Sequence, residues 1–501
     1  MEDLFANLAL GLSVAATPIN IGLCLIGALV GTLIGVLPGI GPTATIAMLL
    51  PITFGLPPVG ALIMLAGIYY GAMYGGSTTS ILVNLPGEAA AVVTTLDGHQ
   101  MAKQGRAGPA LAIAAIGSFF AGCVATVLLA VMAAPLTRVA LLFGPAEYFS
   151  LMVLGLVFTV VLAKGSVPKA LAMIVAGLLL SMIGTDIETG QTRMTFGIIE
   201  MSDGISFIAI ATGMFGFTEI IRNLEIRQTT TIVQAKITGL MPTKQDLKSA
   251  APAILRGTFL GSALGILPGG GTILASFGSY TLEKKLAKDP SRFGRGAIEG
   301  VAGPESANNA ASQTAFIPLL TLGIPPNAVM ALMVGAMTIH GIIPGPQVMT
   351  KQPDLFWGLI ASMWIGNLML VIINLPLVGI WVRLLRVPYR LLYPMILTFC
   401  CIGVYSINNQ PFDLLMTAIF GLVGYWLIKH DFEPAPLVLA FVLGPLMEEN
   451  LRRAMLLARG DATVFATRPI SAVLMGISII LLVLAILPMI RKRRDEVFVE
   501  P

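Results

Sequence analysis

Charge is scarce in this 501-residue sequence: Asp, Glu, Lys and Arg make up 11% of it, against 56% hydrophobic residues. Water-soluble domains carry about 25% charged residues, so that class is excluded and a membrane is the solvent that fits. No Lys or Arg precedes Lys103. The N-terminus therefore lacks the basic stretch of a cleavable signal peptide, and the first apolar segment is expected to stay in the mature protein. Cysteine is rare too. Cys24, Cys123, Cys400 and Cys401 lie in apolar stretches without metal-ligand spacing and read as small buried hydrophobes. The three histidines, His99, His340 and His430, read as structural. G-x-S-x-G, H-E-x-x-H, Walker and dinucleotide motifs are absent, so neither enzyme chemistry, ATP-driven pumping nor an organic cofactor is expected. The net charge of +4 sits in loops, where it orients the chain in a bilayer rather than attracting nucleic acid.

What is abundant is apolar chain punctuated by 54 Gly and 32 Pro. Residues 107–134, 355–382 and 470–490 contain no charge and are long enough to cross a hydrocarbon core of about 30 Å. The shorter stretches 148–163, 170–184, 204–221, 391–407 and 414–428 need bundle packing to span. The fold expected is an all-α integral membrane protein, a polytopic helix bundle of two inverted-topology repeats with broken helices and re-entrant hairpins.

The repeats are visible in the residues. GVLPGIGPT at 35–43 recurs as GILPGGGTI at 265–273, and Leu85-Pro86-Gly87-Glu88 has a counterpart in Ile324-Pro325-Pro326-Asn327. A long span and two shorter ones follow in each half. Lys and Arg accumulate on the cytoplasmic side of membranes. The flanks of the first Pro-Gly segment, 1–20 and 52–58, hold none, whereas 222–256 and 283–296 hold eleven, from Arg222 to Arg295. The first hairpin is thus expected to open outward and the second inward, with an external N-terminus and an internal Arg491-Lys492-Arg493-Arg494 tail. The charged stretch Arg452–Arg468 falls on the wrong side of this count and is expected to be re-entrant or interfacial. Residues 1–203 form the first repeat, 204–256 a connecting span and cytoplasmic linker, 257–434 the second repeat, and 435–501 the C-terminal spans and tail.

Pro removes a backbone hydrogen bond and Gly lets the chain turn, so Pro38-Gly39 and Pro268-Gly269-Gly270-Gly271 free amides and carbonyls near mid-membrane. Such paired breaks are the recurrent substrate and ion site of secondary transporters. Beside them lie neutral polar clusters, Ser77-Thr78-Thr79-Ser80 with Asn84, and Ser306, Asn308, Asn309, Ser312, Gln313 and Thr314, which also suit helix–helix contact. No Lys or Arg lies mid-span, so an anion would be held by half-helix N-termini, hydroxyls and amides. Glu88 and Glu305 read either as proton or cation sites or as helix-terminal residues in a wet vestibule.

The segments GVLPGIGPTATIAMLLPITF (35–54), YGGSTTSILVNLPGEAAAVVTTLDGHQMAKQGRAGPAL (74–111) and GPESANNAASQTAFIPLLTLGIPPNAVMALMVGAMTIHGIIPGP (303–346) resemble the large membrane subunit of the tripartite tricarboxylate transporters, the TctA family. The resemblance covers nearly the whole chain. It implies a secondary importer of di- and tricarboxylates in the bacterial inner membrane, driven by a sodium or proton gradient. It also implies a small TctB-like membrane subunit and a periplasmic TctC-like binding protein as partners. The family's signature loops fall on Gly39, Gly41, Ser77, Thr78, Thr79, Asn84, Pro86 and Gly87, and on Gly269, Gly270, Asn308, Asn309, Thr314, Pro325, Pro326 and Asn327. Those are the candidate substrate and cation ligands, with sodium a candidate at the two broken loops. The alternative reading is a passive channel or scaffold subunit.

The loop charges make a topological prediction. Single cysteines replacing Asn7 and Lys244, in a chain free of native cysteine, are treated with a membrane-impermeant thiol reagent on intact spheroplasts. The Asn7 site is expected to label and the Lys244 site not to; the reverse pattern contradicts the inverted arrangement.

Overall fold

The computed structural model describes residues 2–37, 41–84, 86–140, 142–162, 166–186, 189–225, 239–267, 271–384 and 389–498. Pro38, Gly39, Pro268, Gly269 and Gly270, at the centres of the two breaks, lie outside them, as do Lys164, Arg227, Lys236 and Arg386. The described chain is helical apart from loops and one two-residue antiparallel ladder, β1 (Gly184–Thr185) with β2 (Thr192–Arg193).

The first half runs through α1 (Glu2–Ala15), α2 (Pro18–Val36), α3 (Pro42–Thr53), α4 (Pro58–Val83), α5 (Val92–Lys103), α6 (Ala107–Ala140), α7 (Pro145–Leu162) and α8 (Val167–Ser181). A π-helical stretch, Thr212–Phe217, joins α9 (Phe207–Ala211) to α10 (Thr218–Glu225). The second half comprises α11 (Lys244–Gly265), α12 (Gly271–Leu286), α13 (Glu299–Thr314), α14 (Phe316–Leu322), α15 (Ala328–Ile339), α16 (Gln347–Lys351), α17 (Pro353–Asn374), α18 (Val378–Leu384), α19 (Tyr389–Asn408) and α20 (Pro411–Lys429). α21 (Pro434–Leu457), α22 (Val464–Thr467) and α23 (Pro469–Phe498) complete it. Much of the proline is spent on helix starts: α2, α3, α4, α8, α17, α20 and α21 each carry Pro in the first turn, where its missing N–H costs nothing.

Among the described residues seven helices are long and apolar enough to cross a membrane, including Pro58–Val83, Ala107–Val139 and Pro353–Asn374. The stretch 355–382 is not one span as expected. α17 stops at Asn374 and α18 restarts at Val378, because Pro376 has no N–H to continue the ladder. The stretch Arg452–Arg468, expected to be re-entrant or interfacial, begins in the last turns of the helix α21 and continues through α22 to the residue before α23. Its charges are tolerated because Arg452 binds Asp186 at 3.0 Å and Glu448 at 2.6 Å, while Arg193 of β2 binds Glu448 at 2.8 Å.

Both broken hairpins are clamped to a buried helix by a stripe of glycine. A Cβ on Gly27, Gly31 or Gly35 of α2 would collide with the backbone of Met64, Ile68 and Ala72 of α4. One on Gly257, Gly261 or Gly265 of α11 would collide with the backbone of Gly303, Ala307 and Ala311 of α13. The hairpin glycines are related by an offset of 230 (257 − 27) and their targets by 239 (303 − 64), so the two contacts match position by position. α4 from Gly60 to Val83 and α13 from Gly300 to Thr314 are buried throughout. The halves also interlock. α6 of the first half lies against α13 and α11, and α17 of the second lies against α4 and α2.

The edge of this assembly is tied by polar contacts. Thr243 and Asp246 form a capping box at the start of α11, and Asp246 pairs with Arg106 ahead of α6. Burial works to raise the Asp246 carboxyl, but the hydrogen bonds from Arg106 and Thr243 together outweigh it and hold the group below the usual carboxylate range.

The glycine stripe predicts a contrast within one helix. Gly31→Leu must push α2 off α4 and is expected to cost at least about 1–3 kcal/mol, whereas Gly22→Leu meets nothing within 4 Å. Thermal unfolding of the detergent-solubilised variants measures this. Equal losses from the two substitutions would contradict the clamp.

Candidate functional site

The residues that follow each break begin a new helix: Gly41-Pro42-Thr43 opens α3 and Gly271-Thr272-Ile273 opens α12. Both openings line one cavity of about 350 Å³, within the range of small-molecule sites. Two further helix starts reach it, Asn327-Ala328-Val329 of α15 and Glu433-Pro434-Ala435 of α21, together with Glu88-Ala89 and, from α4, Tyr69 and Met73. First-turn amides have no intrahelical acceptor and carry a partial positive charge. Among the described residues no Lys or Arg lines the cavity, and its charged side chains are the acids Glu88 and Glu433. A larger cavity of about 640 Å³ is walled mainly by apolar groups such as Phe207, Ile342 and Phe441 and has no charged side chain among the described residues, so it does not suit a polyanion.

The walls repeat the internal correspondence. Glu88 Oε2 accepts from the Ala90 amide at 2.9 Å, and Asn327 Oδ1 accepts from the Met330 amide at 2.9 Å, each as an N-cap in extended conformation. Across the halves, Asn308 Nδ2 of α13 donates to Glu88 Oε1 at 2.9 Å and Asn327 Nδ2 donates to the Tyr69 hydroxyl of α4 at 3.4 Å. Glu88 and Asn327 differ by 239, as do Tyr69 and Asn308, so the two contacts are reciprocal. Each half thereby holds the cap of the other.

The residues singled out by sequence are placed as follows. Gly41 and Asn327 line the cavity, and Asn308 is linked to it through Glu88. Gly39, Gly269 and Gly270 lie outside the described residues. Ser77 Oγ donates to Glu305 Oε2 at 2.5 Å, and Thr94 donates to the other carboxylate oxygen. Thr79 donates to the Val36 carbonyl at 2.7 Å, closing the end of α2 just before the first break. Thr78 lines a void of about 10 Å³, room for one water, with Tyr74, Ser77, Ser118 and Asn374. Asn309 Nδ2 donates to Ser118 at 2.7 Å, while its Oδ1 and both amide atoms of Gln313 are buried without a partner. Thr314 donates to Ala310 of its own helix at 3.1 Å and packs on Gly265. Gly87 is pressed against the Gly35 carbonyl, Pro86 is half-buried, and Pro325 and Pro326 are buried in the turn before Asn327.

Asn84 has a backbone role. It is exposed and ends α4 with φ 57°, and its counterpart 239 residues on, Gly323, ends α14 with φ 74°. A left-handed cap explains both. Tyr69, Thr43, Thr272 and Glu433 were not among the expected site residues. The threonines sit inside the repeated motif and were legible there, whereas nothing around Glu433 repeats. Among the described residues no cluster of three or more His, Cys, Asp or Glu is present.

Comparison with known proteins agrees with the quoted motifs. Residues 21–439 match the model of the tripartite tricarboxylate transporter TctA family. An Agrobacterium vitis protein described as an uncharacterized 52.8 kDa protein in the TAR-I ttuC' 3' region is 61% identical over 500 residues, covering 100% of both chains. A second one, from the TAR-II ttuC' 3' region, is 65% identical over 240 residues, 48% of this chain and 99% of its own. No solved structure matches. With a matched family model over most of its length and a full-length relative at this identity, the chain belongs to the tripartite tricarboxylate transporter TctA family.

Proposed function

We propose that this multi-pass membrane protein is the large subunit of a binding-protein-dependent importer of di- and tricarboxylates, driven by an ion gradient. The observation that carries the reading is the convergence of four helix starts on one cavity that has no basic side chain among the described residues. Each favourable terminus contributes about 0.3–1 kcal/mol to binding an anion, so the four together supply roughly 1–4 kcal/mol. Capture on that scale is reversible, as a transporter needs and a storage site does not. A substrate of two or three negative charges facing Glu88 and Glu433 also requires a cation to accompany it, which is the physical basis for coupling to sodium or protons.

The two hairpins are read as inverted repeats across the bacterial inner membrane, with the N-terminus periplasmic and the C-terminal tail cytoplasmic, on the strength of the loop charges. A small TctB-like subunit and a periplasmic TctC-like protein complete the system, the latter supplying the selectivity for one carboxylate.

Reconstitution tests this. Proteoliposomes holding the chain, the small subunit and the loaded binding protein are expected to accumulate labelled carboxylate above its external concentration when an ion gradient is imposed. Uptake that only equilibrates would support a passive channel, and full-rate uptake by the large subunit alone would contradict the three-part assembly.

A further inference from the structure

Glu305 of α13 is 1% exposed, and both of its oxygens are occupied by hydroxyl groups from the other half of the chain, Ser77 of α4 and Thr94 of α5. Among the described residues it forms no ion pair with Lys, Arg or His. The titratable groups on the elements packed against α13 are Tyr69, Tyr70 and Tyr74 of α4, Asp97, His99 and Lys103 of α5, Cys123 and Arg138 of α6, Lys244, Asp246, Lys248 and Arg256 of α11, and Tyr280, Glu283, Lys284 and Lys285 of α12, with Glu88 in the turn ahead of α5. The nearby cation, Arg256 of α11, is committed to Glu283 of α12 through two hydrogen bonds at 2.8 and 2.5 Å. Arg138 lies in the last turn of α6, eight turns from its start, and α14 brings no charge. An ionised carboxylate in such surroundings bears a desolvation cost that two hydroxyl groups offset only in part.

A second observation concerns where the Ser77 hydrogen can go. Ser77 Oγ lies 2.5 Å from Glu305 Oε2 and also 3.2 Å from the Met73 carbonyl. With Glu305 ionised, Ser77 donates to it. With a proton on Oε2, the carboxyl donates to Ser77 Oγ, and the serine hydrogen swings to the Met73 carbonyl while Thr94 still donates to Oε1. Every polar atom is paired in both states with the heavy atoms in place.

We propose that Glu305 is a proton-binding site in the membrane interior, with Ser77 as its hydroxyl relay, and that the proton accompanying substrate import is taken up there. The proposal rests on the importer reading for its role but not for its existence. Charge-assisted hydrogen bonds are about twice as strong as neutral ones, so proton uptake loosens a contact joining α13 to α4 and α5. That gives the proton a way to act on the relative position of the two halves.

The test is infrared difference spectroscopy of the assembled, lipid-embedded chain after a pH jump, which needs no transport. Wild type is expected to show a protonated-carboxyl band on acidification that Glu305→Gln abolishes. Thr94→Val removes a donor to the charged form, so the pH at which the band titrates is expected to rise by about one to two units. In the reconstituted system Glu305→Gln is expected to lose accumulation driven by a proton gradient. Should Glu305→Gln fail to assemble, the Thr94→Val shift decides the matter. A band that survives Glu305→Gln, or an unshifted titration in Thr94→Val, overturns the proton site. Accumulation driven by sodium and indifferent to pH overturns its role in coupling, while failure of all concentrative uptake with the band intact overturns only the importer reading.

Discussion

A helix that stops part-way through hydrocarbon leaves amides and carbonyls that lipid cannot satisfy, so it persists only where protein encloses it. Here the enclosure depends on one kind of contact, glycine backbone against the backbone of a buried helix. Gly27, Gly31 and Gly35 let α2 approach α4, and Gly257, Gly261 and Gly265 let α11 approach α13. Without that approach the threonine that closes the end of α2, Thr79, would not reach the Val36 carbonyl. The helix starts beyond the breaks, at Pro42 and Gly271, would then have no reason to face a common cavity.

The same backbone contact fixes the chemistry of the interior. Because α4 and α13 are sheathed in small residues, their polar side chains meet one another rather than lipid: Ser77 meets Glu305, Asn308 meets Glu88, and Tyr69 meets Asn327. These bonds run between halves, and the long spans α6 and α17 cross over in the same sense. A change of charge at either acid is therefore felt by both halves, which is the condition for an ion to influence a movement between them.

Much of this was legible in the residues. The offsets near 230 and 239 that relate the Pro-Gly segments also relate the glycine stripes, the caps Glu88 and Asn327, and the pair Tyr69 and Asn308. The family followed from the same motifs. What could not be read was the role of single polar residues. For Asn84 the structure adds a backbone role that the sequence did not display, a left-handed cap shared with its counterpart Gly323. Ser77, Thr79 and Thr314 sit in polar clusters whose hydrogen bonds go to neighbouring helices or to their own, since a hydroxyl facing a carbonyl in an apolar interior bonds to it. The interruption of 355–382 was written in Pro376, but apolar length masked it. Glu433 enters the cavity from the end of the second repeat, beyond the matched motifs, where no pattern marks it.

On the proposed function, both breaks open onto one anion site. Thr43 and Thr272 lie just beyond the two breaks on the wall of the cavity. Each is replaced by cysteine in a chain free of native cysteine, and the rate of reaction with a small thiol reagent is measured while the carboxylate concentration is raised. The carboxylate is expected to slow both reactions with the same half-effect concentration. Protection of one position without the other, or of neither, would contradict it.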